Sequence, residues 1–323
     1  MKVGALLQKR QEQWGELERL CVTVGAVGRR PPAETVHRFA RLYRDACADL
    51  ALADSYQLPQ ETVEFLHRLV ARSHNALYRS RGFSFDKWSE MLLKTVPRAC
   101  FRDGCVHTAF LIFWGFFLFS AYLGYHDDDF VSRVCGDEHV ESVKQMYSEF
   151  DTRPFSTNFT MACFYVYNNA GIGLQCFAWS VLFLPGLFTI AYNAVFLGTT
   201  FGVMFRPEMG EAGVNFRNFV TAHGPFELTA IVLSAAAGLR IGMGWVRTNG
   251  VDRFDSIVRA GSVAMPIAGA ATVLFVLAAL IEGFVSPSGL PWAFKGIVAI
   301  LSSLGLLVYF VVLGFPRGGP RET

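Results

Sequence analysis

Hydrophobic positions change rhythm about one third of the way along the chain. Up to residue 80, apolar residues recur at helical spacing among charged ones; beyond residue 105 they run in long, nearly uncharged blocks. In the first part, Leu6, Leu7, Trp14, Leu17 and Leu20 mark a helix over 3–24. The stretch Gly25–Gly28–Arg29–Arg30–Pro31 breaks it. A second helix is predicted from near Pro32, because proline suits a first helical turn, to about Ser55. A third follows Pro59, runs to Ser80 and is ended by Gly82. Phe39, Leu42, Leu50, Phe65, Leu66 and Leu69 form the inner faces. These helices are too charged to span a membrane and suit a small helical bundle, a head over residues 1–83.

Residues 84–103 read differently. Phe85, Trp88, Leu92 and Val96 recur at steps of three or four, with Lys87, Lys94 and Arg98 elsewhere on the wheel. That pattern predicts an amphipathic helix lying on a membrane surface; a fourth packed helix of the head is the alternative. About six spans follow within 104–315: 105–125, 159–182, 186–205, 218–240, 262–285 and 293–314, with Pro185–Gly186 turning the second into the third. A span needs roughly 20 mostly apolar residues, and the 52 residues from Pro154 to Phe205 contain no charge, enough for two. The fold class is therefore all-α, a polytopic membrane bundle with an N-terminal helical head.

Composition agrees. Of 323 residues, 52% are hydrophobic and 17% charged, against about 25% charged in soluble domains. Residues 1–103 hold 17 Lys/Arg and 12 Asp/Glu. The start is charged and amphipathic, so no cleavable signal peptide is expected. Orientation follows the basic flanks: Lys87, Lys94, Arg98 and Arg102 before the first span; Arg240, Arg247, Arg253 and Arg259 after the fourth; Arg317 and Arg321 in the tail 316–323. These belong on the cytoplasmic side. The loop 126–157, with eight acids and three bases, belongs outside. Both termini are then cytoplasmic. Seven cysteines without a CxxC pair read as small apolar residues. The head arginines Arg38, Arg41 and Arg44 suit a solvated face or anionic lipid, not nucleic acid.

The chemistry sits inside the spans, where an ionisable group costs at least a few kcal/mol. The chain offers His223, Glu227, Glu282, Asn168, Asn169 and Asn193. His223 and Glu227, four apart, share a helix face. At about 1.5 Å per residue, His223 and Glu282 lie roughly 7 Å from the outer surface, Glu227 roughly 13 Å and the Asn pair roughly 15 Å. One shared polar cluster is expected. Three readings stay open: a packing lock between helices; a metal site of His223, Glu227 and Glu282, a set that suits zinc and permits hydrolysis; or a transport or proton path. The spacing is not HExxH, and the paired repeat of a transporter is not found. Gly198-x-x-x-Gly202 fits close helix packing. No phosphate loop, Ser/His/Asp order or dinucleotide fingerprint appears.

The segments His223-Gly224-Pro225-Phe226-Glu227-Leu228-Thr229-Ala230 and Ile281-Glu282-Gly283-Phe284-Val285-Ser286-Pro287 resemble the stage II sporulation protein M family. Asn168–Asn169, Tyr192–Asn193, Arg38-Phe39-Ala40-Arg41-Leu42-Tyr43-Arg44 and Val96-Pro97-Arg98 fit it as well, so the resemblance extends over nearly the whole chain. It implies an integral inner-membrane protein acting as anchor or scaffold beside cell-wall lytic enzymes. The head resembles the broader branch found in bacteria that do not sporulate, alongside a MoxR-type ATPase and a von Willebrand-type protein. The family brings no catalytic residues to this chain. The first functional expectation is a non-enzymatic scaffold, with the bilayer, cell-wall hydrolases or a MoxR-type ATPase system as partners and no cofactor. Trp14, Trp88 and the head's helix faces are its inner contacts, 126–157 its outer one, and a homodimer through a membrane face is compatible with it. The alternatives are an intramembrane zinc-dependent hydrolase and a small-solute or proton-coupled transporter.

Overall fold

The computed structural model describes residues 3–25, 31–56, 58–78, 85–148 and 155–316, which are helical almost throughout and contain no strand. The predicted break at 26–30, the end of the third head helix at 79–84 and the tail beyond 316 lie outside them. The chain divides into two compact units, Met1–Trp88 and Ser89–Thr323.

The first unit holds α1 (Val3–Val24), α2 (Ala33–Ser55) and α3 (Gln60–Tyr78). Pro32 stands at the N-cap of α2, where its missing N–H costs nothing. Leu17 and Cys21 of α1, Phe39, Leu42 and Ala46 of α2, and Leu66 and Leu69 of α3 close one core. Full burial of each large side chain contributes about 1.5–3 kcal/mol. Leu50 and Phe65 are only partly buried at its edge. Trp14, expected as a contact for a partner, is instead core, 6% exposed. Its indole N–H donates to Asp49 Oδ2 at 2.9 Å, so an apolar ring can be buried with its one donor satisfied. Around the core, Arg72 pairs with Glu18 at 3.0 Å and Arg38 with Glu16. The Glu16 carboxylate raises the Arg38 pKa above its ordinary value.

The second unit continues from α4 (Phe85–Glu90) through a π-turn at Met91–Thr95 into α5 (Val96–Arg102) and α6 (Gly104–His126). The amphipathic stretch divides. Phe85, Trp88 and Leu93 are exposed, whereas Val96 and Cys100 enter the bundle core. The Tyr309 hydroxyl donates to the Leu92 carbonyl at 2.7 Å. Burial, and the Asp103 carboxylate nearby, push the Cys100 thiol up to about 12, so it acts as a small apolar group. All seven cysteines are free. Asp103 caps α6 by accepting from the Cys105 N–H and pairs with Arg240 at 3.4 Å.

Residues 126–157, read as a loop, contain two helices, α7 (Asp128–Val134) and α8 (Asp137–Ser148). Asp127 caps α7 through the Phe130 N–H, and acids in the first turns oppose the positive ends of both helix dipoles. Val131 joins Val203, Met204, Ala212 and Phe216, with Val140, Val143 and Tyr147 packed on them.

The long helices are α9 (Phe155–Val181), α10 (Leu184–Met204), α11 (Gly210–Val246), α12 (Arg253–Phe284) and α13 (Trp292–Leu307), the last extended by a π-turn at Val308–Val312. The α9–α10 turn falls at Leu182–Phe183, with Phe183 at φ 62°, and not at Pro185–Gly186. Pro185 starts α10, the position its fixed φ favours. Among the described residues, five helices are long and apolar enough to cross a membrane: α6, α10, α11, α12 and α13. The sixth expected span, α9, has the length at 27 residues. It falls short in apolarity, because Asn158, Asn168, Asn169, Gln175 and several Ser/Thr interrupt it.

Close glycine contacts show the packing sense. On α10, Gly198 lies on the Phe117 carbonyl and Gly202 on that of Ala121, so α6 and α10 run parallel. Gly238 meets Phe177 and Gly242 meets Ser180, so α9 and α11 run parallel. Gly283 against Ala162, and Gly173 against Phe275, set α12 antiparallel to α9. Successive long helices thus alternate in direction, α9 included. Helices α7 and α8 cap one end of this bundle, and α5 packs at the other.

Candidate functional site

The capped end of the bundle also carries a cluster of buried polar residues. Helix α11 presents His223 and Glu227 one turn apart, with Nε2 and Oε2 3.4 Å from each other. Pro225 lies between them inside the helix and has no N–H for the carbonyl four residues back, which leaves the Thr221 carbonyl without its helical donor. Helix α12 brings Glu282. One ligand-type atom from each of His223, Glu227 and Glu282 falls within 4.8 Å of the other two. His223 is 4% exposed and Glu282 7%, while the Glu227 side chain keeps 21%.

Second partners hold these groups in place. Ser286 Oγ lies 2.9 Å from His223 Nδ1, which directs Nε2 toward Glu227. The Asn169 amide of α9 donates to Glu282 Oε2 at 2.9 Å. Asn168 in turn donates to Asn169 Oδ1 at 3.0 Å. Three helices are therefore joined by one chain of polar contacts. The Trp292 indole N–H donates to Thr221 Oγ1 at 3.3 Å, one half-turn before His223. An exposed tryptophan at a helix start suits the headgroup region, so the cluster begins just below that level.

Of the six residues singled out from the sequence, five meet here. Asn193 does not. Its amide donates to the Thr189 carbonyl at 2.8 Å and toward Cys176 Sγ at 3.6 Å. Cys176 lies seven residues, about 10 Å, further along α9 than Asn169, so Asn193 sits that far from the level of the cluster. Two residues were missed. Ser286 is fully buried, and Lys295 of α13, 1% exposed, donates to the Ser286 carbonyl at 2.7 Å. The signal for Lys295 was available: it is the single charged residue between Pro287 and Phe315.

Two carboxyl groups this close and this little hydrated cannot both stay charged cheaply; they share protons or need a cation. The arrangement can pin α9, α11 and α12 together, pass a proton, or hold a divalent metal on one imidazole and two carboxylates.

An α-helical bundle of apolar helices, joined internally by buried polar groups, defines a polytopic helical membrane protein. Residues 108–287 match the profile of stage II sporulation protein M, and the chain belongs to that family. The match covers α6 to Ser286 and so contains every residue of the cluster except Lys295. Residues 4–79 match a separate profile, a domain of unknown function (DUF8413). The head motif Arg38–Arg44 belongs to that second match, and Val96–Arg98 lies in neither. No curated protein and no solved structure matches the chain.

Proposed function

We propose that the chain is an anchoring scaffold of the envelope, coupling a cytoplasmic partner to remodelling of the cell wall outside. The observation that carries this reading is the pair of unlike elements at opposite ends of the bundle. One end bears the acidic α7–α8 cap, packed on α10 and α11 through Val131, Met204 and Phe216. The other bears α5, which contains Arg98 and Arg102 and is preceded by Lys94. Basic flanks favour the cytoplasmic face, which puts the cap outside and both termini inside. The head supports the reading as a unit with its own core and a charged exterior. Its charged outer faces suit a soluble partner, such as an ATPase of the MoxR type, and the cap suits a wall hydrolase.

The test is the composition of the wall. Deleting the gene is expected to change the profile of peptidoglycan fragments, and a chain lacking residues 1–78 is expected to reach the membrane without restoring it. An unchanged profile in the full deletion contradicts the scaffold reading.

A further inference from the structure

We infer that His223, Glu227 and Glu282 are the protein ligands of a zinc ion that ties α11 to α12. The inference stands apart from the scaffold reading, since metal content does not depend on any partner.

Geometry is the first argument. Zinc bonds of about 2.0–2.1 Å to nitrogen and oxygen in a tetrahedron put ligand atoms about 3.4 Å apart. His223 Nε2 and Glu227 Oε2 are already at 3.4 Å. The third atom lies within 4.8 Å of both, a gap that a small carboxylate rotation closes.

The second argument is how the ligands are held. A metal-binding imidazole almost always has its other nitrogen engaged, which fixes ring and tautomer. His223 Nδ1 is engaged by Ser286 Oγ, and Ser286 is itself held through its carbonyl by Lys295. Ligating carboxylates are likewise hydrogen-bonded from outside. Asn169 does this for Glu282 on Oε2, leaving the other oxygen for the metal, and Asn168 orients Asn169. A packing lock needs the polar groups to pair with one another; it does not need three ligand atoms converging on one point.

Charge and ligand type give the third. One ammonium, that of Lys295, offsets at most one carboxylate, whereas a divalent ion offsets two. Imidazole excludes calcium and magnesium, which take oxygen ligands, and imidazole and carboxylate are both zinc ligands. Glu227 is the least buried of the three, with 21% of its side chain exposed. Three protein ligands leave a fourth position for water.

The experiment uses the full chain, purified in detergent without chelators and dialysed against micromolar Zn²⁺, with metal measured by mass spectrometry. About one zinc per chain is expected in the wild type, and less than about one tenth of that in Glu282→Gln and His223→Asn. X-ray absorption on the wild type keeps the test decisive if the variants fail to fold. It is expected to show nitrogen and oxygen neighbours at about 2.0–2.2 Å and no sulfur at about 2.3 Å. A wild type that retains no zinc, folded variants that retain it undiminished, or a sulfur shell from the cysteines each overturns the inference.

Discussion

The Asn169 amide donates to Glu282 Oε2 at 2.9 Å, joining two helices whose partners stand 113 positions apart in sequence. Both residues are nearly inaccessible, at 4% and 7% exposure. A buried carboxyl stripped of its donor keeps its desolvation cost without the compensating bond. Asn169→Leu is therefore expected to destabilise the folded bundle by about 1–3 kcal/mol, measured as a lowered unfolding midpoint in detergent. Adding Glu282→Gln to Asn169→Leu, in metal-free protein, is expected to recover part of the loss. Equal or greater loss in the double variant would show that the pair is not coupled.

The α6–α10 contact makes a separate demand on size. A Cβ on Gly202 would overlap the Ala121 carbonyl oxygen, and one on Gly198 that of Phe117. Neither obstacle is a flexible side chain, so the helices must separate. Gly202→Ala is expected to cost about 1–3 kcal/mol. Gly115→Ala, with nothing within 4 Å, is expected to be neutral or slightly stabilising, since alanine is the better helix former. Thermal unfolding of the two variants side by side checks the contrast.

His139 makes the α7–α8 cap sensitive to pH. It sits on α8 with Nε2 3.4 Å from Thr200 Oγ1 and its ring 4.7 Å from that of Phe196. Burial lowers its pKa below the ordinary 6.5. The undocked segment then binds protons more readily than the docked one. Docking is complete above pH 6.5 and weakens as the pH falls below it. Hydrogen exchange over 137–148, corrected for its intrinsic pH dependence, is expected to quicken between pH 7.5 and 5.5. His139→Gln is expected to flatten that response.

Much of this was legible in the sequence, and the failures share a cause. Helix α2 starts and stops, and α3 starts, where prolines and apolar periodicity placed them, because those signals act within a few residues. His223 and Glu227 were paired by helical spacing alone. Helices α7 and α8 were hidden by their acids, which read as solvent-exposed loop until capping by Asp127 and the apolar face of Val131, Val140 and Val143 are seen together. The separation of Asn193 depended on how α10 is levelled against α9, a tertiary quantity that helical spacing within one segment does not carry. Ser286 and Lys295 carry meaning only through contacts with other helices, and Trp14 could be called core only once Asp49 was seen to satisfy its N–H.

The most direct test of the account concerns α9. Among the described residues five helices meet the length and apolarity of a span, yet α9 runs the length of the bundle beside α11 and α12 and carries the polar residues that meet Glu282. If it crosses, the crossings number six and both termini share one side; if it does not, they lie on opposite sides. The measurement is a reporter active on one face of the membrane, fused in turn to the N-terminus, to the C-terminus and at Gly136 between α7 and α8. The account predicts cytoplasmic signals at both termini and an external signal at Gly136. Termini reporting from opposite faces would contradict six crossings, and with them the placement of the cluster near the outer surface.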